Sequence, residues 1–522
     1  MNKNLQSIFK YHEETKHAYG KYARSIGYMD WANQPDPFRS YAGASHVELP
    51  LAFDNPTAPY HLIFTDTLPA APLHVDSISQ FLQFSMGISA IKSNGYNEWA
   101  LRCNASSGNL QPSESYVILP PVDGINTKTT ISHYAPKDHS LEILSQCDSH
   151  MWDTLPAGSF FVALSSIAYR EVWKYGERAF RYTNLDAGHA QRSLQVSAKT
   201  LGWKYRLISN IEDKELATLF GFDKKNRFNE NENETADMLL LIAPCEFDGE
   251  INYRDLLDTS VFDSVANNIA DTYQNWPLIG EIEDATFSFA KTLEKATSST
   301  IERSPTKEAK AVILKRRSAQ MMDENNNQIS YKQFKTIVDS SLESFNGFKN
   351  AVNLAIFVHS VEELESGLYM FLRNKEDKAS LVAAVNQDFL WNELDENLFF
   401  LAPGDFRTIA KNISCTQDIA SDGAFTLGML SHFADDIIEN GEHRYKELYW
   451  ECGAIGQQLY LETTSLNLSA TGIGCYLDDL FHKVLGLKSN KFQSLYHFTV
   501  GRGLVDSRLL TKHPYENRIP MC

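Results

Sequence analysis

The feature that most constrains this chain is a repeat within it. Residues 158–203 slide onto residues 423–468 with a shift of 265 and no gap. Gly158 meets Gly423, Phe160 meets Phe425 and Ser166 meets Ser431. Gly176-Glu177 meets Gly441-Glu442, Asp186 meets Glu451, and Gly188 meets Gly453. Leu194 meets Leu459 and Leu201 meets Leu466. Glycines that recur at fixed spacing mark one backbone geometry used twice. A period this long describes two related domains rather than the short units of a solenoid. Two copies of one fold in one chain associate as an internal pseudo-dimer. The stretch 281–310 is charged and Ser/Thr-rich, with Pro305 inside it. The boundary is therefore expected near 295–308, dividing the chain into 1–300 and 305–522.

Local patterns predict a mixture of helices and strands. Residues 158–203 and 423–468 each read as two helices, the first pair joined near Gly176. Residues 76–92 place Phe81, Phe84, Ile88 and Ile91 on one helical side. Residues 115–119, 236–243 and 352–358 read as strands. A helix is expected to start at Ser330, after a turn at 323–327. Residues 31–38 hold two prolines and read as an ordered loop with aromatic anchors. Residues 226–234 are polar and acidic and read as an exposed loop.

Composition excludes some functions. The formal net charge is −18, whereas nucleic-acid and anionic-membrane binders need a basic face. The 7 cysteines are scattered without CxxC spacing, unlike a disulfide framework or a zinc site. A reducing compartment follows. The first 16 residues lack the apolar core of a signal peptide, and no apolar run approaches membrane-spanning length. A cytoplasmic protein is expected.

The two copies differ where chemistry would sit. In the first, Asn104-Ala105-Ser106-Ser107-Gly108-Asn109 precedes a strand. Small residues, a glycine and amides let backbone N–H groups approach a flat polar ligand. The same composition also suits a surface turn. In the second copy, the corresponding stretch 345–350 runs almost directly into its strand, so the loop reads as shortened or lost. Conversely, the second copy opens with Lys315-Arg316-Arg317-Ser318, whose forked donors and hydroxyl suit a phosphate monoester or a solvated basic patch. The first copy has Tyr11-His12-Glu13-Glu14-Thr15-Lys16-His17 there, a poorer anion binder. Gly472-Ile473-Gly474 permits close backbone approach, and Arg502 or Arg508 could add charge. Lys174 beside Tyr175 could serve acid–base chemistry or end a helix in solvent. The second copy has Glu439-Asn440 at that position. A GxGxxG dinucleotide fingerprint is absent.

As an ordered set, these motifs resemble nitroreductase-like FMN-dependent oxidoreductases. Residues 105–109 resemble the loop lying along the flavin ring, with Ala105 replacing a usual proline. Arg316-Arg317-Ser318 resembles the FMN-phosphate motif. Gly472-Ile473-Gly474 resembles the segment facing flavin N5, and Arg502 and Arg508 follow the closing strand. Lys174-Tyr175 is similar to the Lys-Tyr motif of the SagB-type, thiazole/oxazole-forming azoline dehydrogenases. The resemblance runs from Tyr11 to Arg508 and is weak between 204 and 300.

It implies an α+β fold: two fused nitroreductase-like domains, each a mostly antiparallel sheet flanked by helices. Each copy keeps one complementary half of a flavin site, so one FMN per chain is expected. The implied activity is FMN-dependent oxidation of an azoline-type heterocycle or related peptide-derived substrate. Lys174 and Tyr175 would handle the proton, and NAD(P)H or O2 would be the redox partner. Two other activities fit the same motifs: NAD(P)H-dependent reduction of a nitro, quinone or enone compound, and a non-catalytic scaffold in a biosynthetic complex.

Overall fold

A computed structural model describes residues 2–209, 211–287, 301, 303–345 and 350–518. Two seven-stranded sheets organise it, and all their pairings are antiparallel. The first runs, in spatial order, Ser45–Glu48, Ser140–Cys147, Thr129–Ala135, Ser113–Leu119, Phe160–Ile167, Glu234–Ala243 and Lys204–Leu207. The second runs Asn392–Glu393, Leu398–Pro403, Gly367–Phe371, Val352–Val358, Phe425–His432, Phe492–Gly501 and Ser469–Ile473. Leaving aside the edge strands Ser45–Glu48 and Asn392–Glu393, the remaining six strands follow the same sequential order in both. The fold is α+β, two like units fused in one chain.

The 265-residue shift is structural as well as sequential. It carries Phe160–Ile167 onto Phe425–His432, the short helix Tyr169–Tyr175 onto Ala434–Asn440, and the long helix Ala179–Thr200 onto Arg444–Ser465. The ion pair Arg181–Asp478 (2.9 Å) becomes Lys446–Asp213 (2.8 Å) with the two units exchanged. That exchange is what a pseudo-two-fold axis between the units requires.

The two long helices pack together at the axis, buried along almost their whole length. They cross at the recurring glycines. A Cβ on Gly188 would lie 2.1 Å from the Trp450 carbonyl oxygen, and one on Gly453 would lie 2.0 Å from that of Leu185. No side chain fits there, so the glycines persist because two backbones touch. Gly453→Leu is expected to lower unfolding stability by about 3 kcal/mol, the upper end of overpacking costs. Gly280→Ala, in the helix Pro277–Ala285 with open space at its Cβ, should instead be neutral or stabilise by up to about 1 kcal/mol. Urea unfolding of both variants checks the contrast.

Several expectations are corrected. Residues 160–167 and 425–432 are central strands, not the first helix of a pair. Their short apolar runs are buried on both faces, which removes the alternation that would mark a strand. The helix over 76–92 is Val75–Ser85, and Ile88 and Ile91 belong to the strand Ile88–Ser93 beyond Gly87. The acidic stretch 226–234 is drawn inward: Arg227, Glu232 and Glu234 are buried, and Glu232 pairs with buried Arg39 at 2.9 Å. By contrast, the strand Val352–Val358 and the helix capped by Ser330 lie where their patterns place them.

Terminal segments cross between the units. In the first helix, Lys3–Glu14, Phe9 packs on Phe433 and His12 hydrogen-bonds Gln493. The helix Ala309–Lys315 packs among Tyr60, Ile63 and Phe84. The strand Leu510–Lys512 pairs with Ile88–Ser93. The expected boundary at 295–308 lies partly outside the described residues.

Candidate active site

Arg316 and Arg317 follow the helix Ala309–Lys315, which delivers them to the first unit. Arg316 donates from Nε to the Cys103 carbonyl (2.8 Å) and from Nη2 to the Arg102 carbonyl (3.1 Å). Its guanidinium lies 5.2 Å from the Tyr460 ring centre, and its Nη1 is buried without a partner. Arg317 donates to Ser89 Oγ (3.1 Å) and the Leu314 carbonyl (2.9 Å). Among the described residues, no carboxylate pairs with either arginine. Burial therefore lowers both pKa values, that of Arg317 to about 10, with Arg316 adding to it. A buried cation beside a half-buried one, without an acid, is costly unless an anion joins them, and guanidinium forks suit phosphate.

Ser318 knits this end to the strand Ser469–Ile473. Its Oγ lies 2.8 Å from Tyr460 Oη, which also accepts the Gly472 N–H at 2.7 Å. The Ala319 N–H donates to the Ala470 carbonyl at 2.9 Å.

The loop Ala105–Asn109 comes from the other unit and is held from both long helices. The Ala105 N–H donates to Gln457 Oε1 (3.1 Å), and the Ser107 N–H and Oγ donate to Asp186 at 2.9 Å. Gly108 takes φ 58°, the left-handed region glycine tolerates. Asn104, fully buried, leaves both amide atoms unpartnered. Asp186 has an equivalent use in the second unit, where Glu451 accepts the Ala351 N–H at 3.2 Å. There Arg373 neutralises the acid. Among the described residues no such cation pairs with Asp186, and burial raises it to about 7 against the serine hydrogen bonds.

The two ends enclose a cavity of about 570 Å³, lined by Asn104–Asn109, Tyr175, Tyr182 and His189 of one unit and Arg316–Ser318, Tyr460, Gly472–Cys475 and Tyr496 of the other. This is cofactor-sized space. His189 is held neutral, its pKa lowered to about 3 by burial and Arg316.

The symmetry-related place is filled by the chain itself. Gln195, the counterpart of Tyr460, donates to the Phe345 carbonyl at 2.5 Å. Arg192, the counterpart of Gln457, pairs with Glu343 at 2.5 Å, and Arg303 pairs with Glu343 (2.8 Å) and Glu462 (3.0 Å). Residues 346–349, most of the stretch expected to be a shortened loop, lie outside the described residues. At the start of the first unit, Lys16 pairs with Glu13 at 2.7 Å.

Lys174 and Tyr175 end the short helix before Gly176 and reach over the loop. A Cβ on Gly108 would lie 2.8 Å from Tyr175 Oη and 2.9 Å from Lys174 Nζ. The Tyr175 ring packs tilted against that of Tyr182, centres 4.3 Å apart, and forms cavity wall, whereas Lys174 sits behind it, 5.2 Å from its ring centre. Burial, then Glu171 and Tyr182, raises the Tyr175 phenol well above 10. Glu171, one helical turn before Lys174, is fully buried with both oxygens unpartnered, and burial and Asp186 raise it. Sequence reading missed Glu171, although its i, i+3 spacing from Lys174 was a signal. It missed His189, Tyr460 and Tyr496 as well.

Arg502 and Arg508 do not form cavity wall. Arg502 donates to the Gln328 carbonyl at 3.3 Å, and exposed Arg508 pairs with Asp506 at 2.8 Å. The wall there is Gly503–Asp506.

Comparison with known proteins follows this geometry. Residues 365–502 match the Nitroreductase family. A curated protein of Methanocaldococcus jannaschii named "Putative nitroreductase MJ1384" is 24% identical over 155 residues, 28% of this chain and 74% of that protein. A crystal structure of a protein of the same designation from Anabaena variabilis superimposes with a TM-score of 0.72 at 21% identity, covering 95% of this chain and 99% of that one. Among the described residues no helix is long and apolar enough to cross a membrane. The chain thus has the nitroreductase fold along nearly its whole length, and its second unit matches the Nitroreductase family over residues 365–502.

Proposed function

We propose that this chain is an FMN-dependent oxidoreductase with one flavin site, built from both units. The carrying observation is the pair of buried Arg316 and half-buried Arg317, with which no carboxylate pairs among the described residues, and with Nη1 of Arg316 unpartnered. It faces a cavity that also contains the unpartnered amide of Asn104, so a ligand with an anionic end and a polar ring edge fits both. Arg316, Arg317 and Ser318 would hold the phosphate, and Asn104–Asn109 with Gly472–Gly474 would flank the ring.

When bound, the flavin supplies the two-electron chemistry. The chain's residues position the substrate and move the proton. Tyr175 presents its hydroxyl at the wall, and Lys174 stands next to it to take up or return a proton. The substrate class supported by the Lys174-Tyr175 motif is an azoline-type heterocycle or related peptide-derived substrate, oxidised with loss of a hydride equivalent and a proton.

One observation favours a second activity. A phenol kept protonated by burial is a proton donor, which suits reduction of an enone, quinone or nitro compound with NAD(P)H. Anaerobic mixing separates the two. The dehydrogenase reading expects a yellow protein whose flavin band survives NAD(P)H and bleaches with an azoline-containing peptide. Bleaching by NAD(P)H alone establishes the reductase, and a colourless protein that takes up no FMN excludes both.

A further inference from the structure

Beside the cavity lies a group of side chains that the flavin reading does not use. Cys475 directly follows Gly474 in the wall. Its Sγ lies 2.6 Å from Cys415 Sγ and 3.8 Å from His17 Nδ1. The segments carrying the two cysteines are stitched together on both sides of the contact. The Leu477 N–H donates to the Ile413 carbonyl at 2.7 Å, and Gln417 Nε2 donates to the Cys475 carbonyl at 3.2 Å. Cys415 and Thr416 both take positive φ, 53° and 61°. Side chains other than glycine rarely adopt that conformation, and here it turns the Cys415 sulfur onto Cys475. Both cysteines are partly exposed, whereas Cys103, Cys147 and Cys452 are buried.

The spacing decides between two chemistries. A tetrahedral zinc ion bound at about 2.3 Å holds two thiolates roughly 3.7 Å apart. Sulfurs at 2.6 Å are too close to share such an ion and are near bonding distance for each other.

We propose that Cys415 and Cys475 form a reversible dithiol–disulfide site oxidised by hydroperoxides, with Cys475 as the attacking sulfur and Cys415 as the resolving one. The Cys475 sulfur attacks the terminal oxygen of the peroxide. The O–O bond breaks, an alcohol or water leaves with a proton, and Cys475 becomes a sulfenic acid. Cys415 then attacks the Cys475 sulfur, the S–O bond breaks, and water leaves as the S–S bond forms. Two thiols lose two electrons and the peroxide gains them. A dithiol reductant restores the site by exchange.

The environment gives the two sulfurs different roles. The contact with Cys415, then His17 and Arg178, favours the thiolate of Cys475, while Cys415 keeps the shared proton. Arg178 is close, donating to the Gly474 carbonyl at 3.3 Å. Burial of Cys475 opposes its charge, and the neighbouring Asp478, which acts on Cys415, is occupied by Arg178 and Arg181. The thiolate is the nucleophile in such oxidations. The inference is independent of the flavin reading, because no step uses the cavity's ligand.

The test uses the full chain treated with equimolar hydrogen peroxide, alkylated and digested for mass spectrometry. A Cys415–Cys475 cross-linked peptide, two hydrogens lighter than the reduced pair, is expected as the main product. Cys475 should be consumed at least about tenfold faster than exposed Cys245. Cys415→Ser should abolish the cross-link and leave Cys475 as a sulfenic acid that dimedone traps. Cys475→Ser should leave Cys415 unmodified. Unchanged thermal unfolding of each variant establishes that it is folded. Oxidation no faster than at Cys245, or the same dimedone product on Cys415 in the Cys475→Ser variant, overturns the proposal. So does stoichiometric zinc in the purified protein that protects both cysteines until it is chelated.

Discussion

An Arg316→Ala, Arg317→Ala variant is expected to bind FMN at least about 10²-fold more weakly than the parent chain and to purify nearly colourless. Each hydrogen bond to a charged group is worth roughly 1.5–3 kcal/mol, and neither guanidinium has a carboxylate to fall back on. Arg316 also donates to the Cys103 and Arg102 carbonyls, so weaker binding alone would not separate phosphate recognition from local collapse. Riboflavin, which lacks the phosphate, makes the separation. The parent should prefer FMN strongly, and the variant should bind both flavins about equally, with riboflavin affinity little changed. Fluorescence titration with each flavin measures this. A variant that keeps full FMN occupancy, or loses both flavins equally, would show that the arginines do not grip phosphate.

The Lys174→Ala, Tyr175→Phe double variant is expected to keep its flavin and lose turnover by a factor of about 10²–10⁴, the usual contribution of a positioned acid–base group. The ring of Tyr175 packs against that of Tyr182, and phenylalanine preserves that packing, so removal of the hydroxyl is the main change there. Stopped-flow reduction of the bound flavin by substrate reads the step directly. Unchanged reduction would return the pair to an ordinary helix end. Loss of flavin would assign it to the wall of the site instead.

The architecture was legible to the extent that it is periodic. The 265-residue shift survives because Gly188 and Gly453 sit where two backbones touch, and Asp186 and Glu451 each receive N–H groups of the segment leading into an equivalent strand. Such positions tolerate few residues, so they leave a mark in sequence. The central strands 160–167 and 425–432 were misread because burial on both faces erases the alternation on which strand recognition depends. The crossing of Leu510–Lys512 to Ile88–Ser93 has no local signature at all.

The same distinction holds at the site. Arg316–Ser318 and Ala105–Asn109 are contiguous motifs, and the fold brings them to one cavity although 206 residues lie between Asn109 and Arg316. Glu171 and His189 are single polar residues on buried helices. What distinguishes them is an unmet hydrogen bond or an enforced neutral state, and neither exists before the chain folds. Arg502 and Arg508 follow the closing strand as the motif order suggested, but they are engaged by Gln328 and Asp506 and do not themselves form cavity wall.

The central claim is that fusion of two copies has left one competent site, because its symmetry mate is occupied by Phe345 against Gln191 and Gln195 and by the Arg192–Glu343–Arg303 ion pairs. Flavin content per chain tests this most directly. The full chain is reconstituted with excess FMN, freed of unbound flavin, and assayed for released FMN against protein concentration by amino-acid analysis. The account predicts one FMN per chain. Two per chain would show that the second place opens to a flavin and would contradict the composite single site.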